Sequence, residues 1–133
     1  MNMTTDELKA LCDEIGYYSK ISGNALVIPM TRAEDPERPI YNVFVPGENS
    51  LSAYAVSVGF KYPEEKRNGA YLMCNQWNRE RPFGRAYLDN EGELRLDMVY
   101  MGEEDLDREY VKENLLRLFT ICSGDFFEFA DRT

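Results

Sequence analysis

The stretch "LSAYAVSVGFKY", residues 51–62, constrains the fold more than any other part of the sequence. Its residues alternate in size, with Tyr54, Val56, Val58 and Phe60 on one side of an extended chain and Ala53, Ala55, Ser57 and Gly59 on the other. Alternation with period two belongs to a β-strand. One bulky face and one small face imply a sheet covered on one side, with something approaching closely on the other. The run "IYNVFVP" precedes it across the turn residues "PGENS", and its β-branched and aromatic content makes the two runs a hairpin.

Helices flank this hairpin. In "TTDELKALCDEI", Thr4 and Glu7 form a capping box, and Leu8, Leu11, Cys12 and Ile15 make one amphipathic stripe that Gly16 is placed to end. "YYSKISGNALVIPM" reads as two extended pieces divided by Ser22-Gly23-Asn24, the first a short strand over 17–21. "TRAEDPERP", residues 31–39, carries two prolines and mixed charge and reads as a solvated loop.

After the hairpin, Pro63, Glu64 and Glu65 suit a first helical turn, and Ala70, Met73, Cys74 and Trp77 form the apolar stripe of a short helix. A second hairpin follows in "PFGRAYLDNEGELRLDMVYM". Asp89 and Gly92 occupy the first and fourth positions of a type I turn, and Leu94, Leu96, Met98 and Tyr100 alternate with Glu93, Arg95, Asp97 and Val99. From Leu106 the chain is helical again, with Val111, Leu115, Leu118, Phe119 and Cys122 as a stripe before Gly124. The tail holds Phe126, Phe127 and Phe129, which must dock or bind. The order is helix, three or four strands, helix, two strands, helix. It describes one α+β domain over residues 1–133, an antiparallel sheet with helices mainly on one face.

Chemistry is restricted by what is missing. There is no histidine, so the usual general base at neutral pH, the commonest metal ligand and any Ser–His or Cys–His arrangement are absent. Three widely spaced cysteines, Cys12, Cys74 and Cys122, lie on separate helical stripes and read as core thiols in a reducing cytoplasm, not as zinc ligands or disulfides. Acidic residues outnumber basic ones by 24 to 15, and the resulting net charge of −9 opposes binding to nucleic acid or anionic membrane. The acidic segments "EGELRLD" and "GEEDLDRE" read as a wet strand face and a charged first helical turn. No cofactor or metal is expected, and no enzymatic activity. A small-molecule enzyme using carboxylates is the least favoured alternative.

The remaining question is "NQWNRERPFGRAYLD", where Trp77 is followed by Arg79, Arg81 and Arg85. Glu80 interrupts the basic run, and arginines at a helix C-terminus complement its dipole. Trp77 completes the stripe with Ala70 and Met73, so it reads as a core anchor whose indole N–H needs one partner. Asn75 and Asn78 are placed to satisfy the helix end.

Read in register, Asn75-x-Trp77-Asn78, then Phe83-Gly84-Arg85-Ala86-Tyr87-Leu88-Asp89, then Gly92-x-Leu94 resembles the signature of the YbjN family. These are small bacterial proteins labelled sensory transduction regulators. The resemblance implies a fold shared with type III secretion chaperones, in the order α-β-β-β-α-β-β-α, and the extra strand over 17–21 departs from it. The family brings no catalytic residues; it implies a protein- or peptide-binding fold, often dimeric. The expected function is a cytoplasmic binding module, chaperone-like or regulatory, that holds an extended segment of another protein through Phe83, Arg85 and Tyr87. Its alternative is a homodimeric structural or regulatory subunit without a peptide client.

Overall fold

The first helix forms where its capping box directs it. In the computed structural model, which describes residues 3–81, 83–101 and 107–133, Thr4 caps α1 (Thr5–Ile15) by accepting from the Glu7 N–H at 3.1 Å. The Glu7 carboxylate accepts from the Thr4 hydroxyl at 3.3 Å. Gly16, at φ 94°, closes the helix in the left-handed conformation.

Six strands follow: β1 (Lys20–Ser22), β2 (Ala25–Arg32), β3 (Asp35–Gly47), β4 (Ser50–Ser57), and, after the second helix, β5 (Arg85–Leu88) and β6 (Leu94–Met101). They make one sheet in the order β1-β2-β3-β4-β6-β5, antiparallel at each of the five junctions. The segment 31–39, expected to be a loop, extends β2 and β3 instead, and Arg32 pairs with Asp35 across a tight turn. The physical reason lies far away in sequence. Arg32 is buried between Asp35, at 3.2 Å, and Asp131, at 3.3 Å, so the charged hairpin tip is held against the C-terminal helix.

The second helix, α2 (Arg67–Glu80), follows a single 3₁₀ turn (Glu64–Lys66) and buries Ala70, Met73, Cys74 and Trp77 as its spacing predicts. The C-terminal helix, α3, has an opening turn (Arg108–Tyr110), a π-helical stretch (Val111–Arg117) and an α-helical body (Leu118–Arg132). Asp107 caps it by accepting from the N–H groups of Glu109 and Tyr110, and the expected start at Leu106 lies outside the described residues.

Two expectations for α3 are corrected. The wider π turns bury Leu116 and leave Leu118 exposed. The helix also runs through Gly124, because Phe126, Phe127 and Ala130 beyond it are buried, and their burial outweighs the roughly 1 kcal/mol that glycine costs a helix.

The small face of β4 is the covered one. Ala53, Ala55 and Ser57 are buried, which lets α3 approach β3 and β4 closely, whereas Tyr54 and Val56 lie half-buried on the uncovered side. Phe60 leaves the row predicted for it. Gly59, at φ 92°, turns the chain, and Phe60 enters the core against Phe127, 5.0 Å between ring centres. Leu26, Ile28, Ile40, Phe44, Leu51, Leu94 and Leu96 complete the inner face of the sheet under the helices. A polar pair joins it to α3: Asn42 donates to the Ile28 carbonyl at 3.2 Å and accepts from Ser123 at 2.6 Å. All three cysteines are free thiols, and burial pushes each up to about 11, so they stay protonated.

Candidate functional site

Among the described residues no helix packs on the outer face of the sheet, and register places its side chains in rows. One row crosses all six strands: Lys20, Val27, Val43, Tyr54, Asp97 and Arg85. A second joins Pro29, Tyr41 and Val56, and a third joins Val45, Ser52 and Val99. Most of these residues are half-buried, and Val99 is 62% exposed. The face is therefore apolar through its centre and charged toward β5 and β6.

At that charged end stand Arg85 and Tyr87, as alternation along β5 requires. The Arg85 guanidinium lies 3.2 Å from Asp97 and 5.9 Å from the centre of the Tyr87 ring, with 73% of its side chain in solvent. Its hydrogen bond to Asp97 raises its pKa further, so the cation is permanent. Next to it Arg95 stacks over Tyr54 at 4.8 Å and approaches Asp89 at 3.3 Å. A shallow recess of about 340 Å³ opens between Gly84, Arg85, Asp97, Met98 and Val99.

Phe83 does not join them. Gly84 adopts φ 84°, which breaks the alternation, and the Phe83 ring lies on the helix side, 6.4 Å from Phe119. Glycine is needed there because a Cβ would stand 2.9 Å from Leu96 Cδ1.

Three of the four motif residues have structural roles, each of a different kind. Trp77 is 1% exposed, edge-on to Phe126 at 5.0 Å, with Arg81 over its other side at 4.9 Å. Its indole N–H is buried without a protein acceptor among the described residues, so the expected partner is not there. Asn78, one residue on, acts outside its own helix. Its amide donates to the Ala86 carbonyl at 3.0 Å and accepts from the Ala86 N–H at 2.7 Å. Both backbone groups of a residue in the outermost strand are thereby occupied, as a neighbouring strand would occupy them. Gly92, at φ 84°, brings its carbonyl to the Tyr62 N–H at 2.9 Å, and a Cβ on it would meet the Tyr62 carbonyl at 2.5 Å. Asn75 is exposed on α2.

Asn78→Ala is expected to destabilise the protein by about 1.5 kcal/mol, since two hydrogen bonds are lost and Ala86 is left to water. Asn78→Asp is expected to cost more, because it sets a carboxylate oxygen against the Ala86 carbonyl. Urea unfolding of both variants checks the order; equal stability of all three proteins would remove the clamp.

Sequence reasoning missed one cluster altogether. Arg32 and Arg38 interleave with Asp35 and Asp131, and Arg38 covers the Phe60 ring at 4.6 Å. Its partners are up to 99 residues apart, so no local pattern announces them. The hydrogen bond from Arg38, helped by Arg32, holds the Asp131 carboxyl below its ordinary value.

Among the described residues no three His, Cys, Asp or Glu side chains converge to hold a metal ion, and no helix is long and apolar enough to cross a membrane. Comparison with known proteins bears on identity. No curated protein matches the sequence. The chain is similar to the solved structure titled "Crystal structure of YbjN, a putative transcription regulator from E. coli", at 14% identity and a TM-score of 0.64, over 92% of this chain and 84% of that one. At that identity the likeness speaks for the α+β fold alone. The family model described as "Putative bacterial sensory transduction regulator" matches residues 4–131, nearly the whole sequence, and its description is of regulators, not enzymes. With the Asn75–Trp77–Asn78 helix end, the Gly92 turn and the sheet order in place, the chain belongs to the YbjN family.

Proposed function

We propose that the protein is a non-enzymatic regulatory module of the cytoplasm that holds a segment of another protein against the outer face of its sheet. The observation that carries this reading is the uncovered face itself, where Val27, Val43, Val45, Tyr41, Tyr54 and Val56 stand side by side with no element above them among the described residues. A contiguous apolar surface flanked by charge suits a macromolecular partner. Arg85 and Tyr87 supply the polar margin, and the solvent-exposed Arg85 is free to exchange Asp97 for a partner's carboxylate.

Docking on the face is favoured over pairing at the β5 edge, because Asn78 already occupies both backbone groups of Ala86. Three free thiols fit a reducing compartment.

The test is isothermal titration against apolar peptides selected from a displayed library. Val43→Asp and Tyr87→Ser are expected to weaken binding about tenfold or more, corresponding to about 1.4 kcal/mol, while leaving the fold intact. Undiminished binding by both variants rejects the face. Light scattering separates the homodimeric reading, in which Val43→Asp dissociates a dimer in the absence of peptide.

A further inference from the structure

The other end of the sheet offers a second, different surface. Strand β1 covers β2 only from Ala25 to Val27, so the outer edge of β2 beyond Val27 has no partner strand among the described residues. Ser22 and Ala25 close a two-residue turn and exchange hydrogen bonds across it, as the residues flanking such a turn do. Alternation then sends the backbone groups of Ala25 and Val27 toward β1, and those of Pro29 and Thr31 to the open edge. Pro29 contributes a carbonyl only; Thr31 contributes both groups.

Beneath this edge lies a cavity of about 230 Å³, lined by Tyr17, Tyr18, Ile28, Met30, Thr120 and Ile121. Two of its walls are joined, the Tyr17 hydroxyl and Thr120 Oγ1 lying 3.1 Å apart. Its rim is exposed and apolar, Tyr18 at 71% and Ile121 at 53%.

We propose that this seam is a docking site for an extended segment of a partner protein, which continues the β1–β2 ladder along Pro29 and Thr31 and inserts one bulky apolar side chain into the cavity. The open backbone groups specify an extended chain. The cavity specifies the anchor, and an exposed apolar rim is what a peptide covers and a small ligand leaves wet. Pro29 argues against a second copy of this chain, because antiparallel pairing of two β2 edges would set a missing donor in both strands. A short segment anchored by its side chain tolerates one missing bond. Apart from Pro29, which also belongs to an outer-face row, this site uses different residues, and it does not depend on binding at that face.

The experiment selects displayed short peptides with a central Leu, Ile, Phe, Tyr or Trp on the full chain, then measures the best binder by fluorescence anisotropy and backbone NMR. Shifts are expected at Ile28–Thr31 and Thr120–Ile121. Ile121→Lys and Thr31→Pro, both at exposed positions, are each expected to weaken binding at least tenfold, with thermal unfolding unchanged and Val43→Asp without effect. Failure to select any binder overturns the proposal, as does binding indifferent to Ile121→Lys or Thr31→Pro. Loss through Val43→Asp alone assigns the peptide to the outer face and also overturns it. Dissociation of a dimer by Ile121→Lys without peptide overturns it in favour of a second copy.

Discussion

Trp77→Ala is expected to destabilise the protein by about 3–5 kcal/mol, the usual cost of deleting a large buried aromatic. That is a large part of the roughly 5–15 kcal/mol by which a domain of this kind is stable. The side chain is 1% exposed and touches α3 at two points, with Phe126 at 5.0 Å and Phe129 at 5.5 Å. Removing it opens a void between α2 and α3 and uncovers the Phe126 ring, which continues to Phe127 at 5.1 Å. Trp77→Phe is expected to cost about 1–2 kcal/mol, from lost volume alone. No protein acceptor receives the indole N–H among the described residues, so its removal strands no hydrogen-bonding group. Urea unfolding followed by far-UV circular dichroism measures both; an alanine variant within about 1 kcal/mol of the native protein would exclude Trp77 as the anchor.

Arg32→Ala is expected to cost about 1–3 kcal/mol, because it removes the one buried member of a partly solvent-screened charge cluster and leaves Asp35 and Asp131 sharing Arg38. The cluster ties the β2–β3 turn to the last turn of α3, so both should loosen together, visible as faster amide exchange at each. It also gives stability a direction with pH. Asp131 has its folded pKa depressed below 3.8, first by the Arg38 hydrogen bond. Its contribution is therefore present above 3.8 and is lost as pH falls through the lower, folded value. Native protein should lose stability on acidification below that point, and Asp131→Asn should flatten that part of the profile. Parallel acid limbs for native and variant proteins would contradict the assignment.

What the sequence shows of this fold is what neighbours along the chain decide. The Thr4–Glu7 cap, the Ala70–Trp77 stripe and the Asp89–Gly92 turn depend on residues within a few positions, and each forms where its spacing predicts. The charged hairpin through residues 31–39 escaped because its stability comes from Asp131, 99 residues after Arg32. The course of α3 past Gly124 escaped because apolar residues on both sides of that glycine are buried by the sheet, a tertiary effect that overrides local propensity. At the site, alternation alone places Arg85 and Tyr87 together, whereas the displacement of Phe83 turns on a single left-handed glycine, Gly84.

The position of α3 has a consequence for how the protein is made. Strands β2, β3 and β4 are joined by tight turns and have everything they need to pair as soon as they emerge from the ribosome. The cover for their inner face comes later in the chain: Phe119, Phe126 and Phe127 lie in α3, well after β4. Until α3 arrives, Phe44, Ala53 and Leu96 face outward, and the growing chain presents apolar surface on both sides of its sheet. The interval before α3 docks is thus when this protein is most exposed to aggregation, and when it has most need of a chaperone itself.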